Sequence, residues 1–177
     1  NFPGGTTGPS GLDISIVDLP DGYVYDLGSS NNSLGLTAGG GVGWLHGFEA
    51  EGGSDTISEV SSAYGTPLFP GLPAGLNAIV AIWDDPTNDS NPADAVLVWS
   101  FSIPGGTVNA CTDIFNSYPT GGIAATGGMF VGAVVAQPAG QYAASMDQTV
   151  PSSGLAWWVG NTSFAFDYNV LTNNNVG

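Results

Sequence analysis

Six oxygen-bearing side chains crowd one short stretch of the chain: Asp84, Asp85, Asn88, Asp89, Asn91 and Asp94, between Trp83 and Trp99. Asp84, Asp85, Asp89 and Asp94 are carboxylates, and the chain has no Lys and no Arg with which to neutralise them. Carboxylates held close together repel, and burying one unpaired is costly. Water, backbone N–H groups or a bound cation must answer that charge. Calcium takes about six to eight oxygens from carboxylates, amide carbonyls and backbone carbonyls. Asp85, Thr87, Asp89 and Asn91 occupy alternate positions, flanked by Asp84, Asn88 and Asp94. Pro86 and Pro92, with a tryptophan anchoring each end, argue for a rigid tip. A rigid tip suits calcium better than magnesium, which demands strict octahedral geometry and keeps its waters. The expectation is a calcium site with Asp84, Asp85, Asp89 and Asp94 as carboxylate ligands and Asn88 or Asn91 giving an amide oxygen. It is not an EF-hand, because Ser90 stands where that loop needs Gly and Val96 where it needs Glu. The plain alternative is a solvated turn in which Asp, Asn and Pro serve local hydrogen bonds.

Other candidate chemistry is thinner. His46 is the only histidine, and no G-x-S-x-G elbow accompanies it. One His and one Cys do not make a typical zinc site. His46 reads as a sheet-face residue between Trp44 and Phe48. Glu49 and Glu51 lie two apart, as a glycosidase pair can, but EGGSD reads as a solvated turn. Trp157 and Trp158 are adjacent, so a strand sends them to opposite faces, one into the core and one free to stack on a sugar or sit in an interface. Sequons at Asn31, Asn88 and Asn161 are short enough to arise by chance. Cys111, alone in the chain, reads as a buried thiol.

The elements that must position these residues are strands. LDISIVDL (12–19) alternates apolar and polar. In GVGWLHGFEAE, Trp44, His46 and Phe48 share a face opposite Leu45, Gly47 and Glu49. DTISEVSSAYG alternates through Ile57, Glu59 and Ser61. AIVAIW (78–83) and MFVGAVVAQ (129–137) are apolar on both faces and read as central strands. AVLVWSFSI (95–103) sets Leu97, Trp99, Phe101 and Ile103 on one face, so the acidic stretch becomes the tip of a hairpin. A short strand or edge at 113–118, then LAWWVG and FAFDY, complete the set. Helical periodicity is absent, and 28 Gly and 12 Pro interrupt nearly every window long enough for a helix. No repeat of solenoid or propeller length is evident. The expected fold is an all-β antiparallel sandwich of jelly-roll type over residues 12–177, preceded by a Gly/Pro-rich arm at 1–11.

The chain has 177 residues, 42% of them hydrophobic, enough for one domain with a core. Ordinary composition would supply about 20 basic residues. An acid-adapted surface explains their absence poorly, since only 15 residues are acidic and 8% are charged. A secreted chain resistant to trypsin-like cleavage, or a structural polymer, fits better. Without cations, binding to nucleic acid or to an anionic membrane surface is disfavoured, and no apolar run suits membrane insertion. The start at Asn1 reads as a processed mature end.

Four stretches carry a resemblance: YDLGSSNNSLGLTAGG (25–40), YGTPLFPGLPAG (64–75), VAIWDDPTNDSNPADAVLVWS (80–100) and MFVGAVVAQPAGQYAASMDQTVPSSGLAWWVGN (129–161). They resemble secreted bacterial domains of planctomycete type, of unknown function, with a Y-D-D-G-x-x-E-x-x-x-G-L start and a W-D-D-P-x-x-D-x-x-P-x-D-A hairpin. The chain departs from that pattern at Leu27, where the pattern has Asp, and at Asn31 or Asn32, where it has Glu. The resemblance implies a β-sandwich module of an extracellular or surface protein with no enzymatic role.

The function expected is a non-catalytic extracellular structural, matrix or cell-surface module, self-assembling and calcium-stabilised. The alternatives are a carbohydrate-binding module with an aromatic platform and, behind it, a glycoside-active enzyme. The partners left open are a second copy of the chain, to which the arm would add a strand, and a surface polysaccharide.

Overall fold

The computed structural model describes residues 14–17, 23–25, 29–50, 52, 55–69, 75, 77–104, 107–148, 155–163 and 165–176. The expected arm at 1–11 lies outside these residues. The strands are β1 (Ile14–Val17), β2 (Tyr23–Tyr25), β3 (Asn32–Leu34), β4 (Gly40–Glu49), β5 (Asp55–Ser62), β6 (Asn77–Asp85), β7 (Val96–Ile103), β8 (Asn116–Ala125), β9 (Gly128–Gln137), β10 (Ala144–Met146), β11 (Ala156–Asn161) and β12 (Asn175–Val176). No helix among the described residues is long and apolar enough to cross a membrane.

The fold is all-β and antiparallel, a sandwich of a six-stranded sheet, ordered β12-β11-β4-β9-β6-β7, and a four-stranded sheet, ordered β2-β1-β5-β8. A small β10-β3 pair stands beside them. The continuous apolar runs occupy the middle of the larger sheet, as strands covered on both faces must. Between the two sheets lie Val42, Trp44 and Phe48 of β4, Val80 and Ile82 of β6, Met129, Val131 and Val135 of β9, and Ile57, Val60 and Tyr118 from the facing sheet. The opposite face of the larger sheet buries Leu45, Ala81, Trp83, Phe130, Val134 and Val159. The C-terminal segment covers that second face with Phe166, Tyr168 and Leu171.

That cover requires glycine beneath it. A Cβ on Gly43 would meet the tip of the Phe166 ring at 3.0 Å, and one on Gly41 would meet the same side chain. Gly132 of β9 sits opposite Leu45, where a Cβ would lie 2.6 Å from a leucine methyl and press on the Trp44 carbonyl.

Strict alternation fails in two strands. The β6–β7 register shifts between Ile82 and Trp83, pairing Ile82 with Trp99 and Trp83 with Leu97, so Val98 is an extra residue. Trp99 therefore packs into the inter-sheet core and Leu97 against the outer cluster, not on the one face expected of them. A second shift between Ile57 and Glu59 of β5 lets Ile57 and Val60 both face the core. The strand expected over FAFDY is absent from 165–168: this segment clasps the sheet through side chains and turns.

Candidate metal centre

The hairpin between β6 and β7 is held by its own backbone. The amide of Asn88 donates to the Asp85 carbonyl over 3.1 Å, closing a turn through Pro86 and Thr87. Asn88 and Ser90 both take left-handed conformations, at φ 54° and 62°, which Asn tolerates better than most residues. Asp89 accepts from the Asn91 amide at 2.8 Å. The side-chain oxygen of Asn91 then accepts from the Ala93 amide at 3.0 Å and caps a 3-10 turn, Pro92–Asp94, with Pro92 buried at its start. Local Asx hydrogen bonds thus shape the loop, as the turn reading expected.

This shape gathers three carboxylates. One oxygen each of Asp85, Asp89 and Asp94 can lie within 4.8 Å of the others. Asp85 is 5% exposed, whereas Asp89 and Asp94 face solvent. Asp85 accepts from the Ser90 amide at 2.8 Å, which turns its second oxygen side against the loop backbone. Asp84 is not in the cluster. It is one residue before Asp85 in β6, so alternation sends its side chain to the other face of the sheet. The Asn88 amide oxygen points toward Gly128, where a Cβ would approach it to 2.5 Å, and that glycine pairs with Asp85. Asn91 spends its oxygen on the cap described above.

The donor set fits a hard cation. Calcium–oxygen distances of about 2.3–2.6 Å place opposing ligands roughly 5 Å apart, which matches the spread of the three carboxylates. One buried and two solvated carboxylates leave room for water in the remaining positions. With no Lys or Arg in the chain, no lysine or arginine side chain competes for these oxygens.

The other candidates are placed differently. His46 is wholly buried on the inter-sheet face, its ring 5.2 Å from Phe48. Its Nδ1 lies 3.0 Å from the Gly47 carbonyl, to which it donates. Burial lowers its pKa to about 4, partly countered by that bond. Glu49 is exposed at the end of β4, and Glu51 lies outside the described residues. Trp157 packs toward the outer cluster and Trp158 toward the inter-sheet core, so adjacency divides them between two cores. None of the five tryptophans is exposed. Cys111 is not the buried thiol expected. It is half-buried in a turn at φ 57°, its Sγ 3.8 Å from the Phe69 carbonyl.

What the sequence did not signal is the clasp beside this loop. Trp83 donates its indole N–H to the Tyr168 carbonyl at 2.8 Å. The Pro92–Asp94 turn also contacts a second 3-10 turn, Leu171–Asn173. Asp167 organises that segment by accepting from the Asn173 side chain at 2.7 Å and from the Asn169 and Val170 amides. These bonds, led by the one from Asn173, hold its carboxyl below the usual range. Asp167 and the asparagines of DYNVLTNNN (167–175) were the available signal, since such residues build turns.

Comparison with protein-family models, with curated proteins and with solved structures finds no match for this chain.

Proposed function

We propose that this chain is a non-catalytic extracellular structural or cell-surface module whose β6–β7 hairpin binds calcium. One observation carries the reading: Asp85, Asp89 and Asp94 converge on one point in a chain without Lys or Arg. The ion would balance charge that the chain has no cation to meet, and would lock the loop onto the sheet. Its role is stability rather than catalysis. The burial of His46 between the sheets and the solvent exposure of Glu49 support a non-enzymatic reading.

Thermal unfolding with and without calcium tests it. Binding confined to the folded state adds about 2.7 kcal/mol at a hundredfold excess over Kd. The melting temperature should fall on chelation and recover with calcium. A melting curve indifferent to both removes the proposal.

A further inference from the structure

A strand at the rim of a sheet presents unpaired N–H and C=O groups that recruit another strand, and proteins blunt such rims with brevity, proline, bulges or charge. Among the described residues the two large sheets end on β12 and β7, and on β2 and β8. β12 has two residues and β2 three. β8 carries Pro119 and bends through Gly121 and Gly122 at φ 80° and 92°. β7 runs for eight residues, VLVWSFSI, with no proline, glycine or charge. Its bulge at Val98 leaves Trp99–Ile103 in unbroken register with Ala78–Ile82. Val96, Val98 and Phe101 are 52%, 47% and 42% exposed. Phe101 lies 5.9 Å from Tyr118 of β8, so it sits where the two sheets meet at this rim.

We propose that β7 is a homotypic docking edge, pairing antiparallel with β7 of a second copy. Charge selects both occupant and direction. The chain carries a formal charge of −15, so two copies repel wherever acids face each other. From Ala95 to Thr112 there is no acid at all. Antiparallel pairing centred on Ser100 puts the two Asp94 residues about 40 Å apart, at about 3.3 Å per residue. That is several times the Debye length of about 8 Å at physiological salt. Parallel pairing would set the two acidic tips side by side. An antiparallel contact is self-complementary and closes at two copies. The strand itself offers a basic partner no counter-charge. The inference rests on the structural-module reading for its meaning, but not on the calcium site, and the two fail separately.

Sedimentation of the whole chain, at concentrations up to the order of 1 mM, reads the association. The wild type should dimerise. Ser100→Glu and Val98→Glu should each raise the dissociation constant roughly tenfold or more, with unchanged circular dichroism and melting. Leu68→Glu, an exposed apolar site outside β7, should leave it unchanged. If Val98→Glu misfolds, Ser100→Glu at an exposed serine carries the test alone. A wild type that stays monomeric, a dimer indifferent to Ser100→Glu, or a dimer lost with Leu68→Glu overturns the proposal. The calcium-dependent melting shift, measured on the same samples, reports on the hairpin independently of any of these outcomes.

Discussion

The indole N–H of Trp83 donates to the backbone carbonyl of Tyr168 across 2.8 Å, joining the base of the acidic hairpin to the C-terminal clasp. The two segments are 85 residues apart in sequence and share one face of the larger sheet. A buried tryptophan keeps its N–H satisfied only while the clasp is seated. Trp83→Phe keeps most of the apolar contact and leaves the Tyr168 carbonyl without this donor. It should cost about 1–3 kcal/mol, or roughly 2–4 °C in Tm per kcal/mol for a chain of this size. Calorimetry of the variant measures it, and a melting temperature equal to wild type would show that the bond adds nothing.

Asp84 and Asp85 are neighbours with opposite expected behaviour. Asp85→Asn should abolish most of the calcium-dependent rise in melting temperature, because it removes the buried carboxylate of the cluster. Asp84→Asn should leave that rise intact, since its side chain leaves the opposite face of β6. Equal losses in both variants would mean that the site is not built from the outer face of the strand.

His46 should give the fold an acid-sensitive component. Burial lowers its pKa to about 4 from the ordinary histidine value of 6.5. Below 6.5 the unfolded chain takes up a proton that the folded chain refuses until about pH 4. The contribution is therefore full above pH 6.5 and is lost as pH falls toward 4, amounting to about 3 kcal/mol across that window. Carboxylates titrate nearby, so the comparison that isolates His46 is the difference between wild type and His46→Gln in urea unfolding at pH 7 and pH 4.5. The variant should show the shallower pH dependence. Parallel curves would place no linkage on this residue.

Gly132→Ala should destabilise the fold by about 1–3 kcal/mol through overpacking. Its methyl has nowhere to go between the Leu45 side chain and the Trp44 backbone. Gly75→Ala, at an exposed position with open space around it, is the matched control. Chemical denaturation of the pair would expose any error if both behaved alike.

Cys111 should react with a small thiol reagent in the native protein, more slowly than in urea, because its turn leaves it half-exposed. Complete protection until unfolding would mean that the turn stays shut.

Much of this architecture was legible because burial writes itself into period. The two-sided apolar runs of β6 and β9 announced central strands, and Trp44, His46 and Phe48 announced a shared face. What period cannot encode is an extra residue. Val98 resembles its neighbours, yet as a bulge it sends Leu97 to the far side of the sheet. The same limit applies at the site. Six oxygen-bearing residues looked equivalent in sequence, but strand alternation separates Asp84 from Asp85, and Asn91 is committed to capping a turn. FAFDY read as a strand because its apolar residues alternate. Phe166 instead presses onto Gly41 and Gly43, and no feature of FAFDY itself names those glycines as its floor.

The unequal ladders of the larger sheet also have a mechanical meaning. β4 and β9 are matched over ten residue pairs, while β12 is attached to β11 by two. A pull on the chain at Val176 meets the short ladder first and opens it one rung at a time. The seat of Leu171 and Phe166 yields next, together with the Trp83 bond. Only then does tension reach β11, which is matched to β4 over six residue pairs, with the ten-pair ladder of β4 and β9 behind it. A chain built this way gives under load in graded steps, and its C-terminal clasp acts as a fuse ahead of the core.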